Sequence, residues 1–242
     1  MKNQNSWYQQ WFNTPYYHKL YDHRNDEEAE IFMNKLIGFL KLPEKGKILD
    51  LPCGRGRHAI YLNNLGYRIT GADLSINNIN YAKKFENNTL HFHTHDMRNH
   101  LKEKYDAIFN LFTSFGYFDD EDENVKVLQN FKSGLKDNGI IVLDFLNISK
   151  AKTNLIPKEI ITKNNIDFYI KRKVENNYLK KVIEFNTDDK LFEFEEKVQC
   201  LTLPKFKSMS KKANLKIKHI FGDYKLMPFD EKESDRLILI FQ

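Results

Sequence analysis

Ile48-Leu-Asp-Leu-Pro-Cys-Gly-Arg-Gly-Arg-His58 is the stretch that decides the fold, because it joins an apolar strand ending in a carboxylate to a glycine loop and the start of a helix. Gly54 and Gly56 allow the backbone to approach a ligand where a Cβ would intrude. The amides that open the next helix present a partial positive charge to that ligand. Such an arrangement is typical of a site for a nucleoside-bearing cofactor.

Acidic residues recur at the ends of the predicted strands. Asp50 closes the first strand, Asp73 the second and Asp96 the third. In an open α/β sheet, ligands bind beyond the carboxyl ends of the strands, and an acid about 20 residues after the glycine loop is placed to bind ribose hydroxyls. Asp73 fits that position, so the sequence predicts one cleft formed by three successive strand ends.

The hydrophobic pattern predicts an α/β fold with a second, all-β segment. Alternation of strands and helices indicates a parallel sheet with helices on both faces. The predicted strands are 47–51, 67–72, 89–95, 105–110 and 139–145, and the helices are 57–65, 76–85 and 122–136. Beyond Asn147, extended runs at 166–174, 178–185 and 191–203 predict an antiparallel meander, before helix 204–213 and strands 215–221 and 235–241. We therefore divide the chain into a helical lid (1–45), an α/β domain (46–149 and 204–242) and a β insert (150–203).

Several stretches, taken in their order along the chain, resemble motifs of the class I S-adenosylmethionine-dependent methyltransferases. The stretch from Asp50 to Gly56 resembles the first motif of the family, Gly71-Ala-Asp73-Leu-Ser75 the ribose-binding second, and His95-Asp96-Met97-Arg98 the adenine-binding third. The runs 105–110 and 135–144 resemble the fourth strand and the helix, turn and fifth strand. Pro52 departs from the pattern, because the family usually has a glycine there; proline fixes φ and removes an amide donor.

The resemblance implies a seven-stranded, mostly parallel Rossmann-like sheet that ends in a hairpin with the seventh strand antiparallel. It also implies S-adenosylmethionine as the cofactor, with Gly54 and Gly56 beside its methionine part and Asp50 near its ammonium group. Asp73 and Leu74 would lie at the ribose, and Asp96 and Met97 at the adenine. Asn110 and Phe112 become further cofactor neighbours, and Ser114 and Tyr117 neighbours of the methyl acceptor.

The aromatic start of the chain resembles that of small-molecule N-methyltransferases such as the amino-sugar dimethylating enzymes. In those enzymes amino-terminal tyrosines cover the cofactor, and the insert after the fifth strand contributes to the acceptor site or a dimer contact. The resemblance makes Trp11, Tyr16, Tyr21 and Arg24 candidates for cofactor contact, with Arg24 facing the methionine carboxylate. The alternative is that these aromatic residues form a packing stripe.

Composition excludes several classes of function. The 242 residues include 41% hydrophobic residues and carry a net charge of +5. We expect a cytoplasmic protein, since no apolar run reaches the length of a membrane span and the polar start lacks a signal-peptide core. The scattered lysines argue against nucleic acid as a partner. The segment after the fourth strand also does not resemble the Asn-Pro-Pro-Tyr type of sequence that amino-methylating nucleic-acid enzymes carry, which favours a small-molecule acceptor. We expect no disulfide from the two cysteines.

Methyl transfer from a sulfonium is an in-line displacement, so the protein mainly aligns two molecules and excludes water. No metal is required, and His91, His93 and His95 would lie in a row along one strand rather than converge on an ion. The sequence assigns no catalytic residue, and nothing selects between His18 and His23 as a proton acceptor.

Other functions remain open at this stage. The run from Gly54 to Ala59 also satisfies the G-x-G-x-x-G/A pattern of an NAD-dependent oxidoreductase, in which Asp73 would bind the ribose equally well. A second alternative is a non-catalytic cofactor-binding or interaction protein. A third is methylation of RNA or protein, which requires a basic surface near the cleft. A homodimer through the insert is a further expectation.

Overall fold

The structure is a computed structural model that describes residues 6–21 and 26–242. The elements of the first half are α1 (Trp7–Phe12), α2 (Pro15–Leu20), α3 (Asp26–Leu40), β1 (Lys47–Asp50), α4 (Arg57–Asn64), β2 (Arg68–Asp73), α5 (Ile76–Ala82), β3 (Leu90–Thr94), β4 (Tyr105–Asn110), α6 (Glu121–Ser133) and β5 (Leu135–Leu146). The second half consists of α7 (Ile148–Thr153), β6 (Lys158–Lys163), β7 (Ile166–Glu175), β8 (Tyr178–Thr187), β9 (Lys190–Gln199), α8 (Leu203–Lys212), β10 (Ile217–Phe221) and β11 (Arg236–Phe241).

The main sheet has seven strands in the order β10-β11-β5-β4-β1-β2-β3. Strands β1 to β5 pair in parallel, whereas β11 runs antiparallel to both β5 and β10. The run Leu237-Ile-Leu-Ile-Phe241 is buried throughout, as expected for a strand covered on both faces. The seven-stranded, mostly parallel sheet with an antiparallel terminal hairpin confirms the predicted fold class.

Helices cover both faces of this sheet, and each face has its own apolar core. On one face, α3 contributes Phe32, Met33 and Leu36 to a cluster that includes Ile48 and Val142. On the other face, apolar side chains of α6 and α8 pack against strands β4, β5 and β11, and this cluster includes Val127, Leu128, Phe131, Phe206 and Met209. The prediction of helices on both faces of the main sheet is thus confirmed.

The insert is a separate four-stranded antiparallel sheet in the order β6-β7-β8-β9. Its three hairpins turn at Asn164-Asn165, Asn176-Asn177 and Asp188-Asp189, and both residues of each pair have positive φ. Two-residue turns of this kind match the twist of the flanking strands, and asparagine and aspartate tolerate the left-handed conformation. The predicted antiparallel insert is confirmed, although the sequence prediction missed its first strand, β6.

Several predicted boundaries were wrong. Helix α7 was not predicted, and the last insert strand ends at Gln199 rather than 203 because α8 already begins at Leu203. The predicted helix 122–136 ends at Ser133, and β5 begins at Leu135, well before the predicted residue 139. The predicted helix 76–85 is α5 followed by a 3₁₀ turn, Lys83–Phe85. Short polar stretches carry little periodicity, which explains these errors at element ends.

The amino-terminal helices pack against the insert sheet. Trp11 and Leu20 are buried in one cluster with Phe168, Ile183 and Phe185. These side chains alternate along β7 and β8, so they lie on one face of the insert sheet. The lid and the insert therefore share a hydrophobic core of their own.

Candidate cofactor cleft

The strand register brings the predicted strand-end residues to one edge of the main sheet. Asp50 pairs with Gly71 of β2 and with Phe109 of β4, and Asp73 pairs with Thr94 of β3. Strands β1 to β4 therefore end close together, with Asp50, Asp73 and Asn110 at the shared edge. This is the edge at which open α/β sheets bind ligands.

The two loop glycines serve different purposes. Both have positive φ, +56° at Gly54 and +89° at Gly56. A Cβ at Gly54 would meet nothing within 4 Å, whereas one at Gly56 would lie 2.8 Å from the ring of Phe92 on β3. Gly56 thus allows the loop to pack on the sheet, and Gly54 leaves open space beside the cleft. The Leu51-Pro52 peptide bond at the start of this loop is cis.

The Asp73 carboxylate holds the glycine loop in place. Its two oxygens accept hydrogen bonds from the amides of Gly54 (2.9 Å) and Ser75 (2.7 Å). Burial raises the pKa of Asp73, although these bonds oppose the rise. The Asn78 side chain also hydrogen-bonds this carboxylate. A carboxylate has about four acceptor sites, so it can still accept a hydrogen bond from a ligand. The half-buried Leu74 separates it from Ser75, which caps α5 by accepting a bond from the Asn78 amide.

Asp50 and Asn110 present buried acceptor oxygens without partners. Asp50 is 1% exposed, and neither of its carboxylate oxygens has a well-formed hydrogen bond. Burial raises the pKa of Asp50 to about 8, the nearby Asp73 adds to the rise, and Arg57 and the Ala59 amide oppose it. The Asn110 amide donates to the Leu51 carbonyl (2.8 Å), but its own oxygen is buried and unpartnered. Unpaired buried acceptors are costly and favour a ligand that brings N–H donors.

Asp96 is bound by an arginine two residues away. Its carboxylate accepts from the Arg98 guanidinium (2.7 Å) and the Arg98 amide (2.9 Å), and Arg98 also pairs with Glu123 of α6 (2.8 Å). Burial raises the pKa of Asp96, but the bonds from Arg98 outweigh this effect and lower it overall. Met97 is half-buried against the core on the α6 face. These contacts make Asp96 a turn residue before Arg98, and its contact with an adenine stays a prediction.

A strained turn follows β4. Phe112 and Thr113 have φ of +58° and +61°. The Phe112 ring stacks on His58 at 4.9 Å, and the Arg57 guanidinium lies 5.3 Å from the same ring. Burial, together with Arg57, lowers the pKa of His58 to about 3, so this imidazole is neutral. The sequence prediction included Phe112 but missed Arg57 and His58, which stand directly after Gly56.

The predicted acceptor neighbours connect this turn to the lid. Ser114 donates to the Leu111 carbonyl (2.8 Å), and the Tyr117 hydroxyl donates to the Thr113 carbonyl. The Tyr117 ring lies 5.1 Å from Trp7, and the lid also contributes Tyr8 and Phe12 to this cluster. Aromatic rings therefore fill the space between the β4 loop and α1.

The structure places Trp11, Tyr16 and Tyr21 against the insert. The Trp11 indole donates to Glu196 of β9 (2.7 Å), the Tyr21 hydroxyl donates to the same carboxylate (2.6 Å), and the Tyr16 ring lies 4.8 Å from Phe185. These contacts fit the alternative of a packing stripe, and contact of these three residues with a cofactor stays a prediction. Arg24 and His23 lie outside the described residues.

Other lid residues contact the loop that follows Asp73. The Asn13 side chain accepts from the Ser75 hydroxyl (2.5 Å), and the Asn13 carbonyl accepts from Asn77 (3.1 Å). His18 lies 3.0 Å from the Asn78 side-chain oxygen. The lid thus touches the second motif through polar residues that the sequence prediction did not assign, because isolated asparagines carry no distinctive signal.

Three further observations concern metal binding, membrane spans and the cysteines. Within residues 6–21 and 26–242, no group of three or more histidine, cysteine or acidic side chains is placed to hold a metal ion. None of the helices in the described part of the chain is long and apolar enough to cross a membrane. Cys53 and Cys200 are both buried and free.

The fold and the motifs resemble those of the Rossmann-like S-adenosylmethionine-dependent methyltransferases. Residues 48–139 match the family described as methyltransferase domain. A solved S-adenosylmethionine-dependent methyltransferase from Clostridium acetobutylicum superposes with a TM-score of 0.79, covers 94% of this chain and 95% of its own, and is 19% identical. The resemblance predicted from the motifs is confirmed, and the oxidoreductase alternative finds no support.

Curated relatives resemble part of the chain. The glycine/sarcosine N-methyltransferase of Aphanothece halophytica is 32% identical over 132 residues, which are 51% of this chain and 48% of the relative. The dTDP-3-amino-3,4,6-trideoxy-alpha-D-glucopyranose N,N-dimethyltransferase of Streptomyces venezuelae is 29% identical over 106 residues, 43% of this chain and 44% of the relative. The chain thus matches just under half the length of these relatives.

Proposed function

We propose that this protein transfers a methyl group from S-adenosylmethionine to a small-molecule acceptor. One observation carries the proposal. The carboxylate of Asp50 and the side-chain oxygen of Asn110 are buried at the sheet edge without a well-formed hydrogen bond, and the adjoining glycine loop leaves open space at Gly54. An amino-acid ammonium group supplies three donors and a positive charge, which is what these oxygens lack.

The residues present fit the remaining parts of this cofactor. Asp50 and Asn110 would receive the ammonium group, and Asp73 would use its remaining acceptor site for a ribose hydroxyl. Asp96 and Met97, at the end of β3, are the proposed adenine neighbours. When bound, the sulfonium supplies an activated methyl group. The protein's own contribution is to orient the two reactants and to exclude water, for which the lid and the aromatic cluster are suited.

The acceptor site that we propose lies beside Ser114 and Tyr117, where the β4 loop and the aromatic rings of the lid border the cleft. Aromatic faces stabilise the positive charge that develops on an amine nitrogen as it takes the methyl group, and rings from both sides meet here. The names of the two curated relatives, both N-methyltransferases, support nitrogen as the methylated atom. The acceptor attacks in line with the bond from sulfur to the methyl carbon, so no general base is required if the amine arrives unprotonated.

The proposal also includes a location in the cell and an oligomeric state. We place the protein in the cytoplasm, which suits its two buried free cysteines. We also propose a homodimer through the outer face of the insert sheet, where the paired side chains of Ile160 and Tyr169 are 61% and 45% exposed.

Parallel calorimetric titrations with S-adenosylmethionine, S-adenosylhomocysteine and NAD test the cofactor. We expect micromolar binding of the first two and a loss of about 10- to 100-fold in Asp73→Asn, which weakens charge-assisted bonds to the ribose. Asp137→Asn is the matched control, since Asp137 is exposed near the start of β5. Binding of NAD alone would overturn the proposal. Mass spectrometry of a panel of small amines, incubated with the protein and cofactor, separates an enzyme from a non-catalytic binding protein.

A further inference from the structure

Two consecutive residues with side chains hold a left-handed backbone directly after β4. Phe112 and Thr113 have φ of +58° and +61°, a region that favours glycine and is particularly unfavourable for a β-branched residue. Such a turn persists only where its surroundings fix it, and strained turns of this kind cluster at functional sites. The question is therefore which groups fix this one.

A buried ion pair holds both residues of the turn. Asp144, at the end of β5, is 0% exposed, and its carboxylate accepts from the Phe112 amide (2.8 Å) and from Arg236 of β11 (2.7 Å). The Arg236 guanidinium also donates to the Thr113 hydroxyl (3.0 Å), and the Asp144 carbonyl accepts from the Thr113 amide (2.9 Å). Tyr224 donates to the same carboxylate (3.2 Å). Strands β5 and β11 thus fix the turn at its backbone and at its side chains.

The Phe112–Thr113 turn also fixes groups on two sides of the cleft. Its Thr113 carbonyl accepts from the Tyr117 hydroxyl, and the Tyr117 ring packs against Trp7 of the lid. On the other side, Phe112 stacks on His58 in the first turn of α4, directly after the glycine loop. A change in the turn would therefore move the aromatic wall of the acceptor side and the packing beside the glycine loop together.

We propose that Asp144 and Arg236 are positioning residues for this site. They hold the Phe112–Thr113 turn in the shape that presents Tyr117 to the lid, and so shape the acceptor side of the cleft. The role of the pair in methyl transfer rests on the function proposed above, whereas the coupling from the ion pair to Tyr117 is a property of the fold itself. Neither residue belongs to the groups proposed to bind the cofactor.

The test uses Asp144→Asn and Arg236→Lys in the full chain. Hydrogen–deuterium exchange over residues 111–117 reports the turn, and the fluorescence of Trp7, in a Trp11→Phe background, reports its contact with Tyr117; these are the chain's two tryptophans. We expect exchange at Phe112 and Thr113 to accelerate at least tenfold and acrylamide quenching of Trp7 to rise. Val142→Ala, a buried apolar change on the same strand as Asp144, controls for general loss of stability.

A rescue variant separates positioning from general stability. Glycine adopts positive φ at no steric cost, so adding Thr113→Gly to Asp144→Asn should return Trp7 quenching most of the way to the parent value. Unchanged exchange and quenching in both Asp144→Asn and Arg236→Lys would overturn the inference, as would changes of the same size in Val142→Ala. Failure of the parent chain to bind S-adenosylhomocysteine would overturn the proposed function alone, because the exchange and quenching results do not depend on it.

Discussion

At the scale of single residues, Asp50 is a carboxyl group whose buried surroundings disfavour its charged form. Burial raises its pKa to about 8 from an ordinary value of 3.8, so the folded protein holds a proton there that the unfolded chain releases. The folded state is therefore favoured at low pH, and this stability is lost as the pH rises from about 4 to about 8. We expect Asp50→Asn to raise the free energy of unfolding at pH 8, but not at pH 4, by on the order of a few kcal/mol, and so to raise the melting temperature only at pH 8. Thermal unfolding across this pH range measures the effect.

The same residue should link cofactor binding to a proton. A bound ammonium group favours the ionised carboxylate, so at pH 7 binding of S-adenosylhomocysteine should release close to one proton from Asp50. Calorimetry in two buffers of different ionisation enthalpy counts that proton. In Asp50→Asn we expect no proton release and an affinity at least tenfold lower, whereas 5′-methylthioadenosine, which lacks the amino-acid part, should bind both proteins alike. Equal losses for both ligands would place Asp50 away from the ammonium group.

At the scale of elements, the predictions succeeded where the chain is strongly patterned. The apolar strands β1 to β5 and the asparagine and aspartate pairs of the insert hairpins could be predicted because periodicity and turn chemistry are local. The end of β5 shows what was missed: Asp144 carries the same signal as Asp50, an acid at a strand's carboxyl end, yet its partner Arg236 is distant in sequence. Contacts such as this one depend on the sheet order, which no local pattern encodes.

The Phe92 ring of β3 packs against Gly71 of β2 and against Gly56 of the glycine loop. A Cβ at Gly71 would lie 2.4 Å from the Phe92 ring, which also lies beneath Gly56. We expect Gly71→Ala to lower stability by about 1–3 kcal/mol through overpacking, and to weaken S-adenosylhomocysteine binding as the loop shifts. Addition of Phe92→Leu should restore part of both. The control is Gly38→Ala within α3, where a Cβ meets nothing within 4 Å and a gain of about 0.5–1 kcal/mol is expected. Denaturant unfolding measures each change, and equal stability of Gly71→Ala and the parent would contradict the argument.

At the scale of the whole molecule, one carboxylate joins the lid to the insert. Glu196 accepts from Trp11 (2.7 Å) and from Tyr21 (2.6 Å), and Lys181 of β8 lies 3.8 Å from it. The Glu196 side chain is 17% exposed. Removal of its carboxylate would therefore leave the donors of Trp11, Tyr21 and Lys181 around a largely buried gap.

We therefore expect Glu196→Ala to release the lid without unfolding the main sheet. Proteolysis within residues 6–21 should accelerate at least about 10- to 100-fold, the range for loss of one hydrogen bond to a charged group, while amides of the main sheet keep their exchange protection. Glu193→Ala is the matched control, because Glu193 is exposed on the same strand, one position before the partly buried Phe194. If the lid closes the cleft, S-adenosylhomocysteine should also dissociate faster from Glu196→Ala. A released lid with unchanged dissociation would show that α1 and α2 stabilise the insert and do not cover the cofactor, which would limit the proposed role of the aromatic cluster to packing.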